Sequence, residues 1–214
     1  MIFVMDVELS LRERKKRETR QRIADTATIL FVTRGFDSVT VADIAAAAEV
    51  SRVTVFNYFP RKEDMFFDRQ EEAVALFTGA VRDRPSGESI LAALRRTLLD
   101  LAERRHPLSG LRDGIEPFLR TVQNSPTLRA ASRENHEALE RALAEAIARD
   151  TGADPADLLP TLIASGVLAA YRVGYRYGTE GVLAGKSADA LHPRYRDLVD
   201  TAFDMLENGV GDYG

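Results

Sequence analysis

The residues best suited to chemistry stand close together, between Ser51 and Asn57. The guanidinium of Arg52 can donate two hydrogen bonds to O6 and N7 of guanine, and Asn57 can pair similarly with adenine or bond a phosphate. Thr54 can offer its methyl group to thymine or its hydroxyl to a backbone oxygen. These side chains are therefore candidate readers of base edges in DNA.

Two short helices around a tight turn would present these side chains. Thr40 is placed as the N-cap of the first helix, and Ser51 as the N-cap of the second, in which Val55 and Phe59 point inward. Apolar residues of the first helix recur at i, i+3, i+4 and i+7: Val41, Ile44, Ala45 and Ala48. This pattern predicts a helix-turn-helix unit, whose second helix enters the major groove of DNA.

The sequence from Thr40, T-V-A-D-I-A-A-A-A-E-V-S-x-x-T-V-F-N-Y-F-x-x-K-E-D, resembles the DNA-binding signature of the TetR family of transcriptional regulators. The resemblance is dense from about Arg17 to Phe77 and includes the ending A-x-x-L-F-x-x-x-G-F of the preceding helix. Beyond Phe77 the chain matches only as a run of helices. The resemblance implies an N-terminal DNA-binding domain and a divergent helical effector domain.

The resemblance also implies which residues hold the DNA backbone. Thr40, Tyr58 and Lys62 match positions at which the family contacts phosphates. We assign Ser51 to the same set. Helix N-termini at Thr40 and near Lys62 would add backbone N–H groups that point at the same anions.

Two positions on the second helix depart from the family pattern. Val53 stands where a small Gly or Pro is often found, and its methyl groups suggest an apolar contact with thymine. Phe56 replaces a tyrosine whose hydroxyl usually reaches a phosphate, so we expect that contact to be absent.

Composition indicates an ordinary globular protein of 214 residues, 45% hydrophobic and 29% charged. With no cysteine it has neither disulfides nor thiolate metal sites, so we expect a cytoplasmic location and no metal or cofactor. The longest nearly uncharged run, Leu158 to Tyr171, is too short to span a membrane. Translation could start at Met1 or at Met5.

Charge is distributed unevenly along the chain. Residues 1–62 hold 11 Lys and Arg against 8 Asp and Glu, a net charge of +3, so residues 63–214 carry −7 of the total of −4. Basic residues concentrate between Leu9 and Arg22. Such a segment favours approach to the phosphate backbone without reading sequence, although basic termini are also often only solvated tails.

Periodicity predicts an all-α protein with about nine helices, since no segment alternates with period two. We expect residues 1–16 to form a disordered basic arm, 17–77 the helix-turn-helix domain with its motif at 40–59, and 78–214 a ligand-binding and dimerisation domain. Pro117 indicates either a kink or a late helix start near Glu116. The expected helices cover about 18–34, 41–48, 52–59, 61–77, 88–105, 111–124, 126–149, 155–179 and 193–207.

The last two helices are candidates for a homodimer interface. Small side chains in the penultimate helix let backbones approach closely, and with the apolar stripe of the last helix they predict a four-helix bundle with a second copy. The alternative is that both helices complete the core of one chain. The small residues are Ala164, Ser165, Gly166, Ala169, Ala170, Gly174 and Gly178.

The resemblance implies a ligand cavity in the larger domain, where aliphatic and aromatic content favours an uncharged or amphipathic organic effector. Residues of these types are more often part of the ordinary core or surface than of a cavity lining. The apolar candidates are Leu98, Leu101, Phe118, Val122, Leu139, Leu168 and Tyr171. The polar candidates are Arg120, Asn135, Arg172 and Tyr175.

These patterns together predict a homodimeric, ligand-responsive repressor that binds a palindromic operator in double-stranded DNA. One alternative is a constitutive DNA-binding regulator without a ligand. Another is an all-helical enzyme whose helix-turn-helix is incidental. For the enzyme the sequence offers little, because His136-Glu137 lacks the second histidine of a zinc-binding H-E-x-x-H, Glu140 standing in its place.

Overall fold

The computed structural model describes residues 10–210, except for the side chain of Val210. Over that range the chain forms ten α-helices, one short 3₁₀ helix and no strand. The all-α class predicted from the sequence is confirmed. The chain divides into two compact units, which meet in sequence between Asp68 and Arg69.

Unit 1 is built around a small aromatic core. Phe31 is fully buried at its centre, with the ring of Phe36 at 4.8 Å and that of Phe66 at 5.8 Å. Ile44 and Val55 complete the core from the two motif helices. The helices of unit 1 are α1 (Leu11–Arg34), α2 (Val41–Ala47), α3 (Arg52–Tyr58) and α4 (Lys62–Phe66).

Helix α1 begins earlier than expected. The Ser10 backbone N–H donates to a Glu13 carboxylate oxygen at 2.9 Å, and the Glu13 N–H donates to the Ser10 hydroxyl at 3.2 Å, which is a capping box. Because Lys and Arg are strong helix formers, the basic segment continues the helix. The prediction of a disordered arm over 1–16 was therefore wrong for residues 11–16, and residues 1–9 lie outside the described residues.

The expected fourth helix is in fact two helices. Helix α4 ends at Phe66, which is buried in unit 1, whereas α5 (Gln70–Arg82) places Phe77 in the core of unit 2. Two glutamates in the first turn of α5 favour a new helix start there. The boundary between the units consequently lies after Asp68 rather than after Phe77.

Unit 2 is a ring of five helices with two smaller elements beside it. Helix α5 packs on α8, α8 on α9, α9 on α10, α10 on α6, and α6 back on α5, and one core cluster draws residues from all five. After α5 the elements are α6 (Ile90–Glu103), a 3₁₀ helix (Pro107–Ser109), α7 (Glu116–Asn124), α8 (Pro126–Thr151), α9 (Leu159–Leu183) and α10 (Ala188–Val210).

Prolines mark two helix starts differently. Helix α7 begins at Glu116 with Pro117 in its first turn, which confirms the late-start alternative. Helix α10 instead begins at Ala188, before the expected start at Pro193, which lies inside the helix. The Ala188 N–H donates to an Asp113 carboxylate oxygen at 2.9 Å, and this bond helps to place the new N-terminus.

The small residues of α9 bring α10 of the same chain close. A Cβ added at Gly174 would lie 3.0 Å from the ring of Tyr195, and one at Gly166 would lie 2.7 Å from Leu206. These two contacts show that α9 and α10 run antiparallel, since the lower number on α9 meets the higher number on α10. Gly166 and Gly174 therefore allow close packing within the core of one chain. For these two residues, this agrees with the alternative to a dimer interface.

Two tyrosines in unit 2 differ in how their hydroxyls are satisfied. The Tyr171 hydroxyl donates to the Leu108 carbonyl at 2.9 Å. Tyr195 is fully buried, and its hydroxyl is the only buried side-chain polar atom without a hydrogen-bond partner in the part of the chain that the structure describes. A buried hydroxyl with no partner costs free energy of folding.

Replacement of each tyrosine by phenylalanine should therefore have opposite effects on stability. We expect Tyr195→Phe to raise the free energy of unfolding by about 1 kcal/mol, because it removes an unsatisfied group, and Tyr171→Phe to lower it by about 1 kcal/mol, because the Leu108 carbonyl loses its donor. Urea denaturation followed by circular dichroism measures both. A loss of stability in Tyr195→Phe would mean that its hydroxyl has a partner.

Candidate nucleic-acid interface

The first motif helix is held by a capping box at Thr40. The Thr40 N–H donates to an Asp43 carboxylate oxygen at 2.8 Å, the Thr40 hydroxyl donates to the same oxygen at 2.5 Å, and the Asp43 N–H donates back at 3.2 Å. These hydrogen bonds lower the pKa of Asp43, so a carboxylate stands at this helix start. The predicted N-cap is confirmed. A phosphate at Thr40 would have to share the hydroxyl with that carboxylate.

A short turn joins the two motif helices. Glu49 adopts φ 54°, a left-handed conformation that is uncommon for a residue other than glycine, and the Val50 N–H donates to the Ala45 carbonyl at 2.9 Å. These features end α2 within a few residues. Ala48, the C-cap of α2, is buried, and the chain enters α3 after Ser51. The helix-turn-helix predicted over 40–59 is confirmed in its elements.

Ser51 caps the second motif helix as predicted. The Thr54 N–H donates to the Ser51 hydroxyl at 3.0 Å, and the two hydroxyl oxygens lie 2.8 Å apart. The Thr54 hydroxyl therefore already has a partner within the helix. Its methyl group remains the simpler means of contact with a base.

The outer face of α3 carries polar and apolar side chains side by side. Arg52 and Asn57 are exposed, and in the described part of the chain the Arg52 guanidinium has no hydrogen-bond or ion-pair partner. Val53 is 69% exposed and Phe56 is 51% exposed, which is unusual for such side chains. Since they are three residues apart, they share one side of the helix.

Two buried residues fix which face of α3 points outward. Val55 and Phe59 are both almost fully buried in the core of unit 1. The guanidinium of Arg20, on α1, lies over the Phe59 ring at 4.7 Å and donates to the Asp68 carbonyl at 3.3 Å. Arg20 therefore supports α3 from within the unit. It was counted among the basic segment, yet it is not a free cation on the surface.

Lys62 is also engaged inside unit 1. Its ammonium donates to the Phe36 carbonyl at 2.9 Å and to the Val39 carbonyl at 3.1 Å. The same nitrogen lies 4.1 Å from the centre of the Phe36 ring. Lys62, one of the four predicted phosphate contacts, is thus hydrogen-bonded to protein groups. Of the others, Tyr58 is half-buried and Ser51 is exposed.

The predicted effector residues separate into a buried group and a peripheral group. Phe118, Val122 and Asn135 are half-buried, and the Asn135 carbonyl accepts from the Gln70 side chain at 2.9 Å. Arg120 and Arg172 are exposed. Arg172 directly follows the buried Tyr171, but successive residues of a helix point to different sides, so Arg172 is not among the buried residues. The buried group, all in one core cluster, is Leu98, Leu101, Leu139, Leu168 and Tyr171.

Aromatic rings surround Tyr171 in this cluster. Phe77 lies edge-on at 5.2 Å between ring centres, Tyr175 lies at 6.0 Å and His136 at 6.3 Å. Burial raises the pKa of Tyr175 to about 12 and raises the pKa of Tyr171 and Tyr195 as well. These hydroxyls therefore stay neutral at physiological pH.

The apparent zinc motif on α8 has other partners. The His136 Nδ1 lies 2.7 Å from the Ser132 carbonyl oxygen, and Glu140 accepts from the Ser165 hydroxyl at 2.5 Å. Among residues 10–210 no group of three or more His, Asp or Glu side chains is arranged to hold a metal ion. Over the same residues, each helix is too short or too polar to cross a bilayer.

Comparison with known proteins identifies the family. Residues 23–68 match the bacterial regulatory proteins of the tetR family, and residues 88–211 match the MftR C-terminal domain. The chain belongs to the TetR family of transcriptional regulators. The first match contains α2, the turn and α3, and it ends at Asp68, where unit 1 ends.

Two relatives show how far this similarity extends. The HTH-type transcriptional regulator TcmR of Streptomyces glaucescens is 33% identical over 148 residues, which are 67% of this chain and 65% of TcmR. MftR of Mycobacterium tuberculosis, named for mycofactocin biosynthesis, is 28% identical over 170 residues, which are 77% of this chain and 81% of MftR. The chain thus covers slightly less than two thirds of the length of TcmR.

A solved structure shares the fold at low identity. NalD of Pseudomonas aeruginosa, described as the secondary repressor of the MexAB-OprM multidrug efflux pump, has a TM-score of 0.57 at 17% identity, over 88% of this chain and 96% of NalD. At that identity the likeness concerns the fold alone. The TetR-family fold implied by the sequence signature is confirmed.

Within this TetR-family regulator, sequence reasoning missed three residues of interest. Phe56 was noted only for a lost phosphate contact, although its spacing from Val53 already placed both on one side of α3. Arg20 was indistinguishable from its basic neighbours, because a partner 39 residues away, Phe59, decides its role. Tyr195 had no sequence signal, since a missing hydrogen bond depends on tertiary contacts.

Proposed function

We propose that this TetR-family protein is a homodimeric repressor, which binds a palindromic operator and is released by a small organic effector. The observation that supports DNA binding best is the outer face of α3, where Arg52 is exposed, has no partner among residues 10–210 and lies beside two exposed apolar residues. A solvated cation and large apolar side chains on a short capped helix are suited to the floor of the major groove.

Each exposed residue on α3 has a chemical role in this proposal. Arg52 donates two hydrogen bonds to guanine, and Asn57 pairs with adenine or bonds a phosphate. Val53 and Phe56 contact thymine methyl groups, as their exposure allows. Thr54 adds its own methyl group, because its hydroxyl is engaged with Ser51.

Backbone contacts hold the motif on the duplex. We assign phosphates to Thr40 and Tyr58, which match positions at which the family contacts phosphates, and to Ser51 beside them. The exposed basic residues of α1 add attraction that depends on salt but not on sequence. Those in its N-terminal half are Arg12, Arg14, Lys15, Lys16, Arg17 and Arg22.

Dimerisation through α9 and α10 is supported by apolar side chains that the unit itself leaves exposed. Leu162 on α9 is 60% exposed, Val173 is 45% exposed, and Met205 on α10 is 72% exposed. Because Gly166 contacts Leu206, Leu162 and Met205 lie towards the same end of the antiparallel pair. Burial of this stripe against a second copy would gain hydrophobic free energy.

The effector proposal rests on the aromatic cluster around Tyr171. Its tyrosine hydroxyls are neutral and lie in an apolar surrounding, and the Tyr195 hydroxyl has no hydrogen-bond partner among residues 10–210. Such a lining suits an uncharged or amphipathic molecule with a hydrogen-bond acceptor. An effector with higher affinity for a dimer unfit for DNA would draw the population away from the operator.

A constitutive regulator without an effector is the second candidate. The observation that favours it is that Leu98, Leu101 and Leu139 are almost completely buried in one core cluster. A fully packed core leaves little room for a guest. The two candidates differ in whether any small molecule stabilises unit 2.

Replacement of Arg52 should remove discrimination at one base pair. Selection of bound DNA from a random library first defines the half-site, its symmetry and its spacing, expected near 34–36 Å between half-site centres or a multiple of it. In competition binding, Arg52→Ala should then lose about 1–3 kcal/mol of preference for the contacted G·C pair. Lys15→Ala, with the same charge removed from α1, should weaken all sequences equally. Unchanged discrimination by Arg52→Ala would contradict its role.

A charge placed in the exposed stripe of unit 2 should separate the dimer. We expect Leu162→Glu and Met205→Glu to sediment as monomers and to lose operator binding, because a carboxylate would be buried in the interface. Ile29→Glu is the matched control, since Ile29 is 63% exposed on α1 of unit 1. Dimers that persist in both unit 2 variants would place the interface elsewhere.

An effector should stabilise the protein and weaken operator binding together. In a thermal-shift screen of uncharged organic compounds, a ligand at 100 times its Kd should add about 2.7 kcal/mol to the free energy of unfolding. Tyr175→Phe should reduce that shift, and Arg176→Ala, an exposed control on α9, should leave it unchanged. If no compound both stabilises the protein and releases the operator, the constitutive alternative is favoured.

A further inference from the structure

Lys62 is at an unfavourable position for a cation, so groups outside its own helix must stabilise the charge. It is the first residue of α4, and a positive charge at a helix N-terminus opposes the helix dipole. Two acidic residues, Glu63 and Asp64, follow it in the same turn, as helix starts prefer. The groups that hold the ammonium must therefore be sought in its surroundings.

The ammonium satisfies the carbonyls of the link between α1 and α2. The turn's own bond, from the Val39 N–H to the Phe36 carbonyl, is long at 3.4 Å. Lys62 supplies shorter bonds to the carbonyls of Phe36, at 2.9 Å, and Val39, at 3.1 Å. Val39 directly precedes Thr40, the N-cap of the first motif helix. The ammonium thus ties the start of α4 to the residues from which α2 begins.

Two aromatic rings also lie close to the ammonium group of Lys62. The nitrogen lies 4.1 Å from the centre of the Phe36 ring and 5.9 Å from that of Phe31, and both rings are buried. A cation over an aromatic face is attracted by the ring quadrupole. An ammonium group has three N–H donors, of which two are committed to carbonyls. At most one N–H of Lys62 would be left for a phosphate.

We infer that Lys62 is a positioning residue, whose ammonium clamps the start of α4 to the link between α1 and α2. Because α3 lies between these two points in the chain, the clamp fixes both motif helices from outside the motif. Its contribution to operator binding is the pre-organised angle of α3 rather than a phosphate contact. This inference rests on the proposed DNA-binding function.

The first test measures the clamp without DNA. Lys62→Met keeps the length and apolar stem of the side chain but removes its donors and its charge. We expect large amide chemical-shift changes and faster hydrogen exchange from Phe36 to Val41. Lys16→Met removes the same charge from the exposed side of α1 and should leave those amides unchanged. Unperturbed amides in Lys62→Met would overturn the inference, whatever the operator experiments show.

The second test uses the salt dependence of operator binding, measured well below the melting temperature of each variant. A lost phosphate contact lowers the slope of log K against log salt by about 0.9. For Lys62→Met we expect at least a tenfold loss of affinity with an unchanged slope, since geometry and not ion release is altered. A slope whose magnitude falls by about 0.9 for each Lys62 of the bound dimer, about 1.8 in all, would make Lys62 a phosphate contact and refute the clamp.

A second variant covers the case in which Lys62→Met does not fold. Phe36→Leu removes the ring beneath the ammonium but leaves Lys62 able to reach a phosphate. The clamp predicts lower operator affinity with an unchanged slope, whereas a phosphate role predicts unchanged affinity. If the wild-type protein bound no DNA, the proposed function would fail, and the amide experiment would still decide whether the clamp exists.

Discussion

The structure of unit 1 depends on the burial of Val55 and Phe59, which anchors one face of α3 in a core centred on Phe31. A helix of seven residues is too short to be stable on its own. Its orientation must therefore come from packing and from its cap at Ser51. Because the inner face is anchored, the opposite face has to be solvated, and the exposure of Val53 and Phe56 follows from that constraint.

Two cationic side chains inside unit 1 pack against the aromatic core of the unit. Arg20 lies over Phe59, and Lys62 lies over Phe36 while it binds two backbone carbonyls. Long cationic side chains cover aromatic rings at little cost, because their charged ends still find acceptors. Arg20 and Lys62 thus lie against aromatic rings inside unit 1, whereas other basic residues, such as Lys15 and Lys16, remain on the exposed side of α1.

Much of the architecture could be predicted from sequence because its signals are local. The caps at Thr40 and Ser51 each depend on residues within one turn, and the αL cap at Gly152 closes α8 close to the expected end. The early start of α1 was missed, although its capping box, Ser10 with Glu13, is itself a local pattern. The break between α4 and α5 was missed because it separates two cores, and that division follows from long-range packing.

The sequence by itself determined the class of the fold, the helix-turn-helix and the side chains available to its second helix, since helical period and capping act over a few residues. Only the tertiary structure decided what each polar group does with its hydrogen-bonding capacity. It placed the ammonium of Lys62 on carbonyls and brought Gly174 against the ring of Tyr195, whose hydroxyl has no hydrogen-bond partner among residues 10–210. The physical reason is that such contacts join residues far apart in the chain, whose meeting depends on how whole helices pack.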